Sequence, residues 1–198
     1  MYNLFIKRII DLFFSIIFII VLLPFFLVLS IIIYISDPGP VIFTQRRVGI
    51  HKTYFNLYKF RTMKMSTPHD TPTHLLKNPD KYITKVGKLL RSSSLDELPQ
   101  LFNILIGQMS LIGPRPALWN QDDLIAERDK YGANDVRPGL TGWAQINGRD
   151  ELPIEVKAKL DGEYVENISF LFDLKCILGT IKVVITHKGV KEGGTGGL

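Results

Sequence analysis

The sequence predicts an α+β fold: a helix-rich, membrane-associated domain with a small β-sheet, carried on an N-terminal hydrophobic helix that re-enters rather than crosses the bilayer. Three observations predict it. Leu12 to Ile35 contain no charged side chain. Val41-Ile42-Phe43-Thr44 and Tyr54 to Phe60 are rich in β-branched and aromatic residues and flank a turn at Gly49. Apolar residues recur at helical spacing in Leu98, Leu101, Phe102, Leu105 and Ile106, and again in Leu174, Ile177, Leu178, Ile181, Val184 and Ile185. The expected division is residues 1–36 as the membrane helix, 37–188 as the main domain with interfacial helices, and 189–198 as a flexible glycine-rich tail.

As a straight helix the uncharged segment reaches about 36 Å, enough for a hydrocarbon core of ~30 Å, so spanning is the default. Two details argue against it. Pro24 stands near the middle, where it removes a backbone bond and bends a helix. Lys7 and Arg8 before the segment are matched by Arg46, Arg47 and Lys52 after it, which leaves no positive-inside asymmetry. A helix that bends at Pro24 and returns to the face it entered satisfies both. No small-residue cleavage pattern precedes the turn Ser36-Asp37-Pro38-Gly39-Pro40, so a cleaved signal is disfavoured.

At 198 residues and 46% hydrophobic content the chain fits one domain plus an attachment. A formal charge of +5 and a pI near 9.3 imply an anionic partner, whether nucleic acid, phosphorylated substrate or acidic lipid. The lone Cys176 excludes an internal disulfide framework and fits a reducing compartment.

Within the second strand, Phe55 and Leu57 share a face that Lys59 and Arg61 continue, so the strand carries two cations outward from a core; a solvated strand end is the plainer alternative. Ser66 to Asp80 is a proline-rich loop. Its His69, Asp70 and His74 lack a recognised metal-ligand spacing. Lys85 to Leu90 is a short amphipathic helix. In Ser94-Leu95-Asp96-Glu97-Leu98-Pro99-Gln100, Ser94 and Glu97 have the spacing of a capping box. Pro99 opposes that register, because it would be the fifth helical residue, where an N–H is required. A start at Leu95 or later places both carboxylates at or before the first turn, where N–H groups also favour phosphate. On the residues alone, capping and catalysis stay equally open.

Gly107 stops that helix. Arg115 follows on a backbone stiffened by Pro114 and Pro116, which suits bidentate phosphate binding, with an ordinary turn as the alternative. Trp119 to Tyr131 is a polar helix ending at Gly132. Arg137-Pro138-Gly139-Leu140-Thr141-Gly142 and Asn147-Gly148-Arg149 place arginines in glycine turns where backbone can approach a ligand. Neither a Walker A loop nor a dinucleotide fingerprint is present. Pro153 to Val165 is a polar surface helix. The apolar helix 174–185 is either a core element or one lying in a membrane interface.

The proline-centred hydrophobic segment, Lys59-Phe60-Arg61-Thr62-Met63, the Ser94–Gln100 stretch, Gly113-Pro114-Arg115-Pro116, Arg137–Gly142 and Asn147-Gly148-Arg149 occur in that order. Together they closely resemble the bacterial sugar transferase family, the monotopic phosphoglycosyl transferases, over about residues 1–186. Leu23 departs from the serine that small members carry before the proline. The resemblance implies transfer of a phosphosugar from a UDP-sugar to a polyprenyl phosphate, usually undecaprenyl phosphate, at the cytoplasmic face of the bacterial inner membrane. It implies no nucleic-acid partner. It makes Asp96 the nucleophile of a two-step reaction, Glu97 its assistant with metal or proton, and Mg²⁺ the expected cofactor at Asp96 and Glu97. Cationic donors must then surround the phosphorus: Arg91, Arg115 and Arg149 first, with Lys59, Arg61 and Arg137 second. Two other readings remain: a membrane phosphohydrolase using Asp96, and an inert membrane adaptor binding anionic lipid or nucleic acid.

Overall fold

The computed structural model describes residues 4–67, 79–148 and 152–186. Its elements run α1 (Leu4–Ser36), β1 (Ile42–Val48), β2 (Tyr54–Phe60), α2 (Lys85–Ser92), α3 (Gln100–Leu105), β3 (Ser110–Ile112), α4 (Asp122–Asp129), β4 (Gly139–Thr141), α5 (Trp143–Ile146), α6 (Ile154–Glu166) and α7 (Phe170–Thr186). The expected α+β composition is present, with two separate two-stranded sheets in place of one. β1 and β2 pair antiparallel, from Ile42 opposite Phe60 to Val48 opposite Tyr54. β3 and β4 pair in parallel, Ser110 with Gly139 and Ile112 with Thr141.

α1 is a single 33-residue helix with Pro24 inside it. Among the described residues it is the one helix long and apolar enough to cross a membrane. Both of its ends nevertheless rest on the same domain. Near the start, Lys7 donates to Asp173 of α7 at 2.7 Å, and both side chains are buried. Arg8 donates to the carbonyls of Ile104 and Leu105, satisfying acceptors left over at the end of α3. Asp11 accepts from the Leu111 amide at 3.0 Å. Near the other end, Phe26, Leu29 and Ile33 join Phe55, Leu57, Phe60, Leu90, Leu101, Ile104 and Met109 in the main core. The flanking charges are thus only partly solvent groups, since Lys7 and Asp11 are buried polar contacts. The opposite side of α1, including Phe13, Val21, Leu27 and Ile31, is exposed.

Several local expectations shift. α3 starts at Gln100, and its buried face is Gln100, Leu101, Asn103 and Ile104; Phe102 and Ile106 point outward. The side chain of Asn103 explains the rotation, because it is fully buried and bridges β2, donating to the Asn56 carbonyl and accepting from the Tyr58 amide. α4 begins at Asp122, three residues later than the pattern suggests. α6 is more than a surface element: it buries Ala158, Asp161, Gly162 and Tyr164. On α7 the core reading fails. Asp173 and Cys176 are buried, whereas Leu171, Leu174, Ile177, Leu178, Ile181, Val184 and Ile185 are exposed. The loop residues His69, Asp70 and His74, like Arg149, lie outside the described residues.

Arg128 of α4 and Asp161 of α6 form a buried pair. Nε and Nη2 both donate to Oδ2, at 2.8 and 2.6 Å. Arg128→Met would leave a carboxylate buried without its partner, at an expected cost of about 3–5 kcal/mol. Chemical denaturation of the two proteins measures that difference.

Candidate active site

The Ser94–Gln100 stretch forms a tight reversal between α2 and α3. Ser94 takes left-handed backbone angles (φ 57°, ψ 16°), and Leu95–Glu97 form a single 3-10 turn before Pro99 opens α3. A non-glycine residue in that region carries strain that the surrounding structure must hold. The capping box is excluded, because the Ser94 side chain caps nothing and Glu97 is turned to other partners. α3, at six residues, is also too short to offer the phosphate site imagined at its start.

Glu97 is the hub. Its Oε1 accepts from Lys59 Nζ at 2.8 Å and from Arg115 Nη2 at 2.7 Å, and its Oε2 accepts from Arg115 Nη1 at 3.3 Å. The cations reach it from separate elements. Lys59 comes from the end of β2, where it continues the face of Phe55 and Leu57, and Arg115 from the proline-flanked loop after β3. Arg115 therefore uses its fork on a carboxylate of the protein itself. Burial pushes the Glu97 pKa up, but the charges and hydrogen bonds of Arg115 and Lys59 outweigh it and hold the group well below the ordinary glutamate range. Lys59 is lowered, chiefly by burial, with Glu97 opposing.

Asp96, the adjacent residue, is in the opposite condition. Among the described residues nothing donates a hydrogen bond to its carboxylate, although the residue is only 8% exposed. Burial raises its pKa first, Lys59 opposes, Glu97 raises it further, and Arg91 and Arg115 lower it. A carboxylate with undonated lone pairs and raised basicity, in a field of cations that keeps it ionised, is the better nucleophile of the two. Arg91 is fixed beside it, its Nε donating to Thr62 Oγ1 at 2.8 Å.

Two further predicted donors, Arg61 and Arg137, are not part of this cluster. Arg61 donates to the Asp37 carbonyl and faces the Asp37 carboxylate at 3.7 Å, closing the end of α1. Arg137 donates to the Gly107 carbonyl at 3.0 Å, at the far end of α3 from Asp96. The nearby glycines serve backbone packing. A Cβ on Gly139 would lie 2.1 Å from the Gly113 nitrogen, and one on Gly142 would lie 2.0 Å from the Gly113 oxygen, so these two loops require glycine to meet.

Two clefts flank the Glu97–Arg115 pair. One, of about 200 Å³, is lined by Arg47, Arg115, Gln121, Arg128, Gln145 and Lys157 among others. The second, of about 240 Å³, runs from Ser94 and Glu97 along Leu98, Leu140 and Ile146 to Val184. Gln145 belongs to both; its Nε2 donates to the Leu140 carbonyl, and its Oε1 is buried without a partner among the described residues. Sequence reasoning missed Arg47 and Gln145. Arg47 looked like a flanking charge, and only the strand register, which sets it opposite Phe55, reveals it. Gln145 carries no signal of its own.

A divalent cation finds one suitable protein ligand here. No cluster of three or more His, Cys, Asp or Glu occurs among the described residues. Both Glu97 oxygens are covered by cationic donors, so Glu97 does not fit as a ligand in this arrangement. Asp96 does fit, in the manner of Mg²⁺ held by one carboxylate and substrate phosphate oxygens.

Known proteins give the arrangement a lineage. The sugar transferase EpsL of Bacillus subtilis (strain 168) is 46% identical over 155 residues, covering 78% of this chain and 74% of that protein. The UDP-glucose:undecaprenyl-phosphate glucose-1-phosphate transferase of Xanthomonas campestris pv. campestris is 37% identical over 172 residues, which is 83% of this chain but 36% of the relative. Exopolysaccharide production protein ExoY of Sinorhizobium fredii is 35% identical over 197 residues, 92% of this chain and 87% of that one. Several further relatives are longer, and the chain spans less than half their length. The sequence pattern described as Bacterial sugar transferase matches residues 2–187. With the match running over nearly the whole chain, the chain belongs to the bacterial sugar transferase family.

Proposed function

We propose that this protein moves a phosphosugar from a UDP-sugar to polyprenyl phosphate, with undecaprenyl phosphate the expected acceptor, and releases UMP. The observation that carries this reading is the contrast within the dyad: an unengaged Asp96 carboxylate beside a Glu97 that ties two cations in place. Relatives named as UDP-glucose or UDP-N-acetylgalactosamine phosphotransferases acting on undecaprenyl phosphate support it.

In the first step an Asp96 oxygen attacks the sugar-bearing phosphorus. The bond from that phosphorus to the bridging oxygen breaks, and UMP leaves with the electron pair. In the second, a phosphate oxygen of the polyprenyl phosphate attacks the same phosphorus and expels the Asp96 carboxylate, giving a polyprenyl diphosphosugar. Splitting the transfer keeps the two anionic substrates from having to meet directly. Lys59, Arg91 and Arg115 offset the charge gathered around phosphorus, and Arg47, Arg128 and Lys157 suit the basic cleft to the nucleotide end of the donor. Mg²⁺ held by Asp96 and substrate oxygens would neutralise part of the diphosphate charge. Glu97 acts as the positioning residue.

The membrane attachment proposed is monotopic and re-entrant, on the cytoplasmic face of the inner membrane. Support comes from the two ends of α1 resting on one domain and from the exposed apolar sides of α1 and α7. Pro24 cannot donate to the Ile20 carbonyl, which makes it the weakest point at which α1 can bend.

Reaction requires ionised Asp96, so UMP release is lost as pH falls through its raised pKa. Glu97 behaves oppositely. Its depressed pKa contributes stability that is fully present above the unfolded glutamate value and lost only as pH falls through the lower folded value. Acidification is therefore expected to stop catalysis before it opens the Lys59–Glu97–Arg115 cluster. A pH–rate profile set beside the pH dependence of thermal unfolding tests this order. The function itself is tested with labelled UDP-sugar and undecaprenyl phosphate: UMP plus a lipid-linked phosphosugar is the expected outcome, and free sugar phosphate as the sole final product contradicts it.

A further inference from the structure

The apolar cleft beside Glu97 is not needed by the donor. A sugar presents hydroxyls that need hydrogen-bonding partners on burial, whereas this cleft is walled along its length by Leu98, Leu140, Ile146 and Val184. Ser94 and Glu97 sit at one end against the Leu95–Glu97 turn; of the other polar side chains in the lining, Thr141 and Thr180 are hydrogen-bonded to each other and Gln145 donates to the Leu140 carbonyl. Its other end is continuous with lipid-compatible surface: Val184 lines the cleft and is 39% exposed, beside the exposed Ile181 and Ile185 on α7. An occupant must therefore be apolar along its body, anionic at one end, and able to enter from the side α7 presents.

We infer that this cleft holds the phosphate-proximal isoprene units of the polyprenyl phosphate, with the phosphate at Asp96 and the rest of the chain leaving past Val184 into the membrane. The inference rests on the phosphosugar-transfer reading. Size agrees with it: an apolar cavity of about 150 Å³ holds a benzene-sized group, so a cleft of about 240 Å³ accommodates one to two five-carbon units. The arrangement gives the two substrates separate entrances, basic for the nucleotide and apolar for the lipid, meeting at the Glu97–Arg115 wall. Val184 thus becomes a determinant of acceptor binding without touching the reacting atoms.

The test is equilibrium binding of undecaprenyl phosphate to the full chain in detergent, without donor. Val184→Trp fills the cleft and is expected to weaken binding about tenfold. Leu178→Trp adds the same bulk to an exposed α7 position outside the cleft and should leave binding unchanged. Val184→Ser, which makes the wall polar without adding volume, should weaken binding two- to fivefold and keeps the test decisive if the tryptophan variant misfolds. Unchanged affinity in Val184→Ser and in a folded Val184→Trp, or equal loss in Val184→Trp and Leu178→Trp, overturns the assignment. UMP release from UDP-sugar alone is followed in parallel and should be unaltered in the control Leu178→Trp. Its absence from the unsubstituted protein would count against the covalent mechanism, while the binding contrast still decides the cleft.

Discussion

Asp96→Asn is expected to reduce UMP release by on the order of 10⁴-fold or more, the scale seen when a covalent nucleophile is removed, while leaving the fold and membrane attachment intact. An amide of the same size cannot form an acyl phosphate. The structure adds an expectation about stability. Because the Asp96 carboxylate receives no hydrogen bond among the described residues and burial raises its pKa, its charge is a cost to the folded state. Replacing it with a neutral isostere should leave the melting temperature unchanged or raise it. Loss of activity with gain of stability marks a group kept for chemistry. A structural carboxylate would lose both.

Glu97→Gln is the complementary case. The charge that Lys59 and Arg115 surround disappears, and both cations stay largely buried, their side chains 17% and 26% exposed. Breaking a buried ion pair by removing one partner costs about 3–5 kcal/mol, so a large fall in unfolding free energy is expected. Activity should fall as well, for an indirect reason. Glu97 raises the Asp96 pKa; without it, Lys59 and Arg115 act on Asp96 alone and make it a weaker base. The acid limb of the pH–rate profile should move to lower pH. A Glu97 that served only as a metal ligand or proton carrier would leave unfolding nearly unchanged, so denaturation and the pH profile together separate these roles.

Residues whose environment is set by near neighbours were legible in the sequence. The second strand and the turn at Gly49, the stop at Gly107 and the extent of α6 followed from local pattern, while the first strand, expected over Val41–Thr44, runs on to Val48. The strand phase put Lys59 in line with the buried Phe55 and Leu57, where it meets an anion, Glu97, in place of the plainer solvated strand end, and Pro99 correctly argued against a capping box. What stayed hidden depends on distant pairing. Glu97 meets Lys59 across 38 residues and Arg115 across 18, so two expected phosphate donors are held by one anion of the protein itself. Arg137 and Arg61, ranked behind Arg115 as donors, each satisfy a backbone carbonyl just past the end of a helix. The α3 face was misread because a buried asparagine, anchored to β2, outweighed two leucine-like positions. The parallel pairing of β3 with β4 was invisible for the same reason: three-residue strands carry no periodicity, and the glycine contacts that join them appear only when the loops meet.

The central claim is that Asp96 becomes covalently linked to the phosphosugar. Incubating the full chain with UDP-sugar and no acceptor, then mapping the adduct by peptide mass spectrometry, tests it most directly. The expected result is one phosphosugar on the peptide containing Asp96, formed with equimolar UMP and discharged when undecaprenyl phosphate is added. Full turnover with no adduct at Asp96, or an adduct on another residue that discharges at the catalytic rate, would contradict it.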